Sequence, residues 1–360
     1  MISVSELGWN EFFEAEFRKI ADEGLRPARV VEELKDAWRV QSESGELLGE
    51  IAGKLRLEQS SERWPAVGDW VAIAPRGGDA RATIRVVLPR RSKVSRKVAG
   101  RAAEEQVIAA NLDTIFVVSS LNRDLNPRRI ERYLAMVWES GASPAVLLTK
   151  SDVCDDAARF AAEIESVAIG VPVHVLSAVS GEGLAVLNNY LRPGRTVALV
   201  GSSGVGKSTL INRLLGRNEL ATKPIREDDD RGRHATTSRR LVLLPGGGML
   251  IDTPGMRELQ LWDADAGLDR AFEDIAARAA ECRFRDCTHR AEPGCAVRQA
   301  IESGDLDAER LENFRKLERE LAFLARKQDA GLQSAEEKKW RKIHQEQKRV
   351  YQSRERHGRQ

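Results

Sequence analysis

The sequence predicts a three-part chain: a doubly wound α/β domain, a small antiparallel β-barrel before it, and a helical unit with a metal-type Cys/His cluster after it. Three observations lead there. An apolar, β-branched run, Thr196-Val197-Ala198-Leu199-Val200, ends in a glycine-rich turn and passes at once into a helical pattern. Period-two runs separated by turn signals fill residues 28–97. Three cysteines and a histidine crowd into residues 282–295.

Composition sets the outer limits. With 360 residues, 42% hydrophobic and 31% charged, the chain is long enough for two or three globular domains. No apolar run approaches the ~18 residues that span a bilayer. The start, Met1-Ile2-Ser3-Val4-Ser5-Glu6, lacks a basic region followed by an apolar one, so no signal peptide is expected. Four cysteines without an export signal argue for a reducing, cytoplasmic compartment and against a disulfide framework. A net charge of +2 hides an uneven distribution. Residues 338–360 are strongly basic, and Arg90, Arg91, Lys93, Arg96, Lys97 and Arg101 form a second cluster. Such clusters suit phosphate neutralisation, and a solvated charged face looks the same.

Taken in order, residues 1–27 read as an amphipathic helical appendage carrying Trp9, Phe12, Phe13 and Phe17. Residues 28–100 hold strand-like runs at 29–34, 37–41, 47–51, 69–74 and 83–88, punctuated at Ser44-Gly45, Pro65 and Gly77-Gly78-Asp79. Five short strands suggest an OB-fold barrel, with an SH3-like barrel or an interaction module as the alternatives. From 101 to 262 strands alternate with helices: strand 112–118, helix 126–140, strand 144–148, helix 157–169, strand 171–176, then the glycine turn and strands 240–244 and 248–251. Ligands are expected at the carboxyl ends of such strands. Residues 263–330 form the Cys/His-bearing helical unit, with a helix over 307–327. Residues 331–360 are a basic tail, helical over 335–356.

Chemistry concentrates at the strand ends. Gly201-Ser202-Ser203-Gly204-Val205-Gly206-Lys207-Ser208, followed by Thr209, fits G-x-x-x-x-G-K-[ST] in the strand-to-helix context that motif requires. Its backbone N–H groups can cradle a polyphosphate, Lys207 can reach the β- and γ-phosphates, and the Ser208 hydroxyl can ligate Mg²⁺. Asp252-Thr253-Pro254-Gly255 ends the last strand. Asp252 suits the Mg²⁺ shell there, and the Gly255 N–H can face a γ-phosphate. Thr149-Lys150-Ser151-Asp152 ends another strand. The Asp152 carboxylate can accept both N1–H and N2–H of guanine, and the Lys150 stem can cover the base. Ser177-Ala178 matches the turn that supports a guanine O6 contact.

Arg231-Gly232-Arg233-His234-Ala235-Thr236-Thr237 has the place and polarity of a switch segment that closes on Mg²⁺ through a threonine. Met256 stands where a water-orienting Gln is common, so His234 is the expected substitute. Base-reading turns precede the phosphate loop, and switch motifs follow it, which is the order of a permuted chain. The unit after Gly255 is therefore tethered directly to the second switch. In that unit Cys282, Cys287, His289 and Cys295 suit a closed, structural, tetrahedral Zn²⁺ site.

Together these residues resemble the circularly permuted P-loop GTPase family called ribosome small subunit-dependent GTPase A (RsgA, also YjeQ). The likeness covers residues 28 to 325 or so. It includes the OB-like start, Gln106-Val107-Ile108-Ala109-Ala110-Asn111-Leu112-Asp113, the permuted motif order, the Gly232-Arg233-His234 segment and the Cys/His spacing. The resemblance implies a GTPase that binds the 30S subunit and its 16S rRNA late in maturation. Its slow hydrolysis would be accelerated by the subunit, and it would act as a monomer without a membrane. Two departures stand out. Ala235 follows the histidine where the family usually has Thr, which shifts the Mg²⁺ threonine to Thr236, with Thr237 as alternative. Thr149 replaces a common Asn, which predicts a looser tie to the phosphate loop. A P-loop kinase, or an RNA-binding module with a slow regulatory nucleotide site, are the rival readings; Met256 gives the second some support.

Overall fold

The computed structural model describes residues 2–20, 24–53, 64–76, 80–97, 105–122, 125–216, 239–252 and 265–328. The expected 335–356 helix, Arg101, Gly255, Met256 and the 231–237 segment with His234, Thr236 and Thr237 lie outside these residues.

Helix α1 (Glu11–Arg18) opens the chain, capped by the Asn10 side chain, which accepts from the backbone N–H groups of Phe12 and Phe13. Phe13 is buried, and Trp9 meets Trp70 edge-on with ring centroids 4.7 Å apart. The appendage thus packs on the barrel through aromatic rings, as its pattern suggests.

Strands β1 (Arg26–Glu33), β2 (Trp38–Ser42), β3 (Gly45–Ile51), β4 (Trp70–Pro75) and β5 (Arg81–Val87) correspond one to one with the expected runs. They pair in the order β1-β2-β3-β5-β4, and β4 closes back on β1. The β3–β5 pairing is parallel and the others are antiparallel, giving a closed OB-like barrel. Register shifts at Val30/Glu32 and Ala72/Ile73 supply the extra bend that closure needs. Ala28, Val30, Val40, Val71, Ile73 and Ile84 fill the interior.

A hairpin follows that the sequence did not announce: β6 (Lys93–Lys97) pairs with β7 (Glu105–Ala110). It places Lys93 of the basic cluster in a strand. Arg90 is likewise internal, holding Asp69 in a bidentate pair at 2.8 and 2.7 Å. Part of that basic cluster is therefore structural.

The α/β domain is built on β8 (Thr114–Ser120), β9 (Ser143–Thr149), β10 (Val173–Val175), β11 (Thr196–Val200), β12 (Arg240–Leu243) and β13 (Met249–Asp252). Their spatial order is β10-β9-β8-β11-β13-β12, all parallel except β12. Side-chain alternation divides two cores. Phe116, Val118, Leu147, Val197 and Leu199 face α4 (Lys207–Leu215), through Leu210 and Ile211. Ile115, Val117, Val146, Leu148, Ala198 and Val200 face the other way, into the core shared with α2 (Pro127–Glu139) and α3 (Ala157–Val167). That second core continues into α5 (Asp265–Ala271), α6 (Glu273–Ala280), α7 (Ala296–Ser303) and α8 (Ala308–Gln328) through Leu268, Phe272, Ile275, Val297 and Leu317. The carboxyl ends of the parallel strands lie along one edge.

A buried polar knot joins α2 to the last helices. Arg310 holds Asp274 at 2.7 and 2.9 Å and donates to Glu131, whose other oxygen accepts from Asn313. Burial pushes the Glu131 carboxyl up, against the pull of the Arg310 guanidinium. Replacing Arg310 by Met leaves this acid without its cation. We expect about 3–5 kcal/mol lower stability in denaturant titrations. Breaking the exposed Arg128–Glu309 pair with Arg128→Ala should cost under about 1 kcal/mol.

Candidate functional site

The glycine turn after β11 is fixed by backbone geometry. Gly201 has φ +145°, and a Cβ there would fall 2.2 Å from the Val118 carbonyl oxygen of the neighbouring strand. Gly204 and Gly206 are also left-handed, at φ +79° and +95°, and Gly206 starts α4. Only residues without a Cβ follow this path cheaply. The loop's N–H groups and the α4 N-terminus accordingly lie at the carboxyl edge of the sheet. Lys207 is buried, and its ammonium bridges the Gly201 oxygen at 2.7 Å and the Ser202 oxygen. Ser203 and Gly204 are exposed, Val205 is buried, and Ser208 and Thr209 are half-buried. Asp252 ends β13 on the same edge, one residue beyond the Ala198–Ile251 pairing.

The expected base-reading turns reach this edge from the other side. Thr149 is buried, and its hydroxyl donates to the Val205 oxygen at 2.5 Å, with the Ser119 oxygen at 3.2 Å. The tie to the phosphate loop is direct: the Thr149 hydroxyl itself reaches the loop backbone. Lys150 adopts a left-handed φ of 64°, and the following 3₁₀ turn, Ser151–Val153, exposes Asp152. Ser177 is buried, and its hydroxyl accepts from the Val179 and Ser180 N–H groups at 3.2 and 3.1 Å. Ala178, half-buried, packs on the α4-side core. The loop is forced to turn tightly at Gly183, where a Cβ would sit 2.3 Å from the Val175 oxygen.

The Cys/His cluster assembles as its spacing suggests. One ligand atom each from Cys282, Cys287, His289 and Cys295 lies within 4.8 Å of all the others. His289 Nδ1 is 3.6 Å from Cys282 Sγ and 3.4 Å from Cys295 Sγ, and those two sulfurs are 3.9 Å apart. A tetrahedral ion with ~2.3 Å metal–sulfur bonds needs sulfur–sulfur edges of about 3.8 Å, so the residues fit a metal ion. Cys295 caps α7, its sulfur accepting from the Arg298 N–H. Burial, then the Arg315 guanidinium, lowers the His289 pKa and favours its neutral ligating form. Burial pushes the Cys287 thiol up to about 11, so metal must displace a firmly held proton there.

Sequence reasoning missed the residues that brace both sites. Arg129 Nη1 donates to the Ser202 hydroxyl at 2.8 Å. Glu292 accepts from the Thr288, Arg290 and Ala291 N–H groups at 2.8–3.0 Å, and Arg315 of α8 donates to the Thr288 and His289 oxygens. One signal was available. Helix α2 opens with Pro127-Arg128-Arg129 and no acid in its first turn, contrary to the preference of the helix dipole.

Comparison with known proteins agrees with this geometry. Residues 87–262 match a family profile described as RsgA GTPase. The chain is 48% identical to the small ribosomal subunit biogenesis GTPase RsgA of Opitutus terrae, over 96% of this chain and 97% of that one. It is also 48% identical to the protein of the same name from Methanosarcina acetivorans, over 93% and 90%. Among solved structures it resembles YjeQ from Thermotoga maritima, with TM-score 0.65, 27% identity and coverage of 83% of this chain and 99% of that one. YloQ, a circularly permuted GTPase, shares the fold at TM-score 0.61 and 22% identity, over 84% and 97%.

Two outcomes test the bracing. Thr149→Val removes the only hydrogen that the side chain gives Val205, and should lower stability by about 1–3 kcal/mol in denaturant unfolding. Glu292→Gln should weaken metal affinity about tenfold in chelator competition. The Thr288 hydroxyl, helped by backbone N–H groups of the loop, holds the Glu292 carboxyl well below its usual range. Its contribution is therefore complete above the ordinary Glu range and fades only as pH falls through it, so the tenfold difference should stay constant between about pH 6 and 8.

Proposed function

Because this chain belongs to the family of RsgA GTPases, we propose that it binds the small ribosomal subunit during its maturation and hydrolyses GTP there. The protein is a GTP hydrolase by family; the partner and the residue roles are our reading. One observation supports it above others. A single buried hydroxyl, Thr149, ties the turn read as selecting guanine to the loop read as cradling phosphates.

In this reading Asp152 accepts the guanine N1–H and N2–H, the Lys150 stem covers the base, and the Ser177-Ala178 turn supports O6. Gly201–Ser208 holds the polyphosphate through backbone N–H groups, and Lys207 turns from the loop carbonyls to the β- and γ-phosphates. Ser208, Asp252 and Thr236 would hold Mg²⁺, which supplies charge neutralisation at those phosphates. His234 orients the attacking water, and the Gly255 N–H faces the γ-phosphate. Lys207 and the loop N–H groups stabilise the charge that develops in the transition state. The ion in the Cys282, Cys287, His289 and Cys295 set is one structural Zn²⁺: four protein ligands leave no open position.

We further divide the chain at 1–27, 28–100, 101–262, 263–330 and 331–360. The OB-like barrel and the Cys/His unit would grip 16S rRNA through shape and phosphate contacts, helped by the basic 338–360 stretch. The protein would act as a cytoplasmic monomer; among the described residues no helix is long and apolar enough to cross a membrane.

The test compares GTP and ATP turnover, with and without 30S subunits, for wild type, His234→Ala and Asp152→Asn. We expect GTP-specific, subunit-stimulated turnover, a loss of about 10²-fold or more in kcat for His234→Ala, and weakened guanine preference for Asp152→Asn. Equal use of ATP by the wild type would remove the guanine assignment. Stimulated turnover that survives His234→Ala would remove the histidine's role.

A further inference from the structure

A cleft of about 630 Å³ lies at the edge of the α/β sheet opposite the phosphate loop, and its volume is in the range that holds a small ligand. Thr114, Ser143 and Thr196, the first residues of β8, β9 and β11, line it. The N-terminal segment adds Trp9, and the barrel and the stretch after it add Arg29 and Arg91. Strand β11 joins the two regions: it begins at Thr196 in the cleft and ends at Val200, next to Gly201. At ~3.3 Å per residue the cleft is roughly 15 Å from the phosphate loop. Doubly wound sheets take their ligands at the carboxyl ends of the strands, so this cleft at the amino ends is not part of the site described above.

Its charge is unbalanced. Four arginines, Arg29, Arg91, Arg192 and Arg195, line the cleft against one acid, Asp113. Two of the four are spent within the fold. Arg29 is enclosed by the Leu7, Gly68 and Asn111 oxygens, and Arg195 Nη1 donates to Asp113 at 2.8 Å. The other Asp113 oxygen accepts from the Thr196 N–H at 2.8 Å, so both oxygens of the acid are engaged. Arg91 and Arg192 are exposed, and their guanidiniums have no hydrogen-bond or ion-pair partner among the described residues. Thr196 gives an independent signal. Its side chain is fully buried, and its hydroxyl has no hydrogen-bond partner among the described residues. Buried polar groups are nearly always partnered in native proteins, so one left over beside a cleft points to a ligand.

We propose that this cleft is a second ligand site, separate from the phosphate loop, and that it takes a small phosphate monoester of nucleotide size. Two unpaired guanidiniums match a monoester dianion, which carries about −1.5 to −2 charges at neutral pH. A carboxylate or an RNA phosphodiester brings a single charge and leaves one arginine unmet. The planar guanidinium also fits phosphate oxygens with two parallel bonds, which fixes orientation as well as affinity. Half-buried Trp9 and Tyr190 line the same cleft and offer ring surface to the organic part of the ligand. The Tyr190 hydroxyl lies 2.7 Å from His174 Nε2, a bond that holds the ring in place.

The experiment uses the full-length, metal-loaded protein saturated with Mg²⁺ and GDP, so that the phosphate loop is filled. Binding of radiolabelled 5′-AMP is measured by equilibrium dialysis. Adenosine, inorganic phosphate and an RNA hexamer without terminal phosphates serve as competitors. Adenine lacks the paired donors that Asp152 is read as accepting, so AMP is a poor ligand for the other site. We expect one AMP per chain, displaced weakly by inorganic phosphate and not by adenosine or the hexamer. Arg91→Gln and Arg192→Gln should each weaken AMP by about tenfold or more, the loss expected for a charge-assisted bond. Neither should change the thermal midpoint, because neither side chain holds a contact in the fold. Thr196→Val should weaken AMP about fivefold while the midpoint holds or rises, because it removes a buried group without a partner. Lys207→Ala, which strikes the phosphate loop, should lower GDP affinity and spare AMP.

Absence of AMP binding in the wild type, or binding untouched by both arginine substitutions, would overturn the site. AMP binding lost with Lys207→Ala would return the ligand to the phosphate loop. A hexamer that competes better than unlabelled AMP would give the arginines to an RNA strand, and either result overturns the assignment. A lower midpoint with unchanged AMP affinity in Thr196→Val would overturn the hydroxyl's part in it.

Discussion

The guanidinium of Arg29, buried where three segments of the chain meet, fixes how the parts of this protein sit on one another. It donates to the carbonyl oxygens of Leu7 in the N-terminal segment, Gly68 beside the barrel and Asn111 at the threshold of the α/β domain. Burial lowers its pKa to about 10, with the fields of Asp113 and Asp69 acting in opposition, so it remains charged at neutral pH. A buried cation that loses its partners costs several kcal/mol, so none of the three carbonyls can drift. The surroundings are equally unforgiving: a Cβ on Gly68 would fall 2.1 Å from the Ala110 oxygen. The barrel therefore reaches the α/β sheet in a set orientation, which the Glu32–Arg240 strand pairing and the 2.7 Å Arg239–Glu33 ion pair extend.

With the barrel placed, the permuted order of the α/β domain loses its strangeness. Strand β11 comes late in the chain yet lies between β8 and β13, because pairing depends on pattern and edge and not on chain order. Asp113 helps to set that position, accepting from the Thr196 N–H and the Arg195 guanidinium, each at 2.8 Å. The consequence lies on the α2 face. That face is closed by the C-terminal helices, whose Phe272, Leu317 and Leu321 share its core. In a chain that ended at the switch strand, this surface would need another cover.

What could be read from the sequence follows from how local each signal is. Alternation over a few residues marked all five barrel strands, and the fixed spacings of the phosphate loop and of Cys282, Cys287, His289 and Cys295 marked their own geometry. Asn126 and Ser140 bounded α2 because capping is a nearest-neighbour effect. The hairpin at Lys93 was missed because its residues are basic, and strand pairing there depends on β7, not on its own propensity. Arg29 looked like any outward-facing strand residue, since its partners lie 22, 39 and 82 positions away. Arg310, Glu131 and Arg129 share that difficulty: each meets a partner far off in the chain, and nothing nearby distinguishes them from solvated charges. Thr149 was visible as a motif residue but its partner was not, because its reach depends on how close β9 brings it to Val205.

The buried polar groups also explain why the molecule has two grades of contact between its parts. Arg29 and Arg310 are each enclosed by several acceptors, so any rearrangement there would expose a desolvated charge and is resisted. The Arg128–Glu309 pair between α2 and α8 is different: both side chains are exposed, and exchanging one partner for another there costs little, because water can satisfy either group during the change. The enclosed charges therefore set how the parts sit on one another, and exposed pairs of this kind add little to that choice.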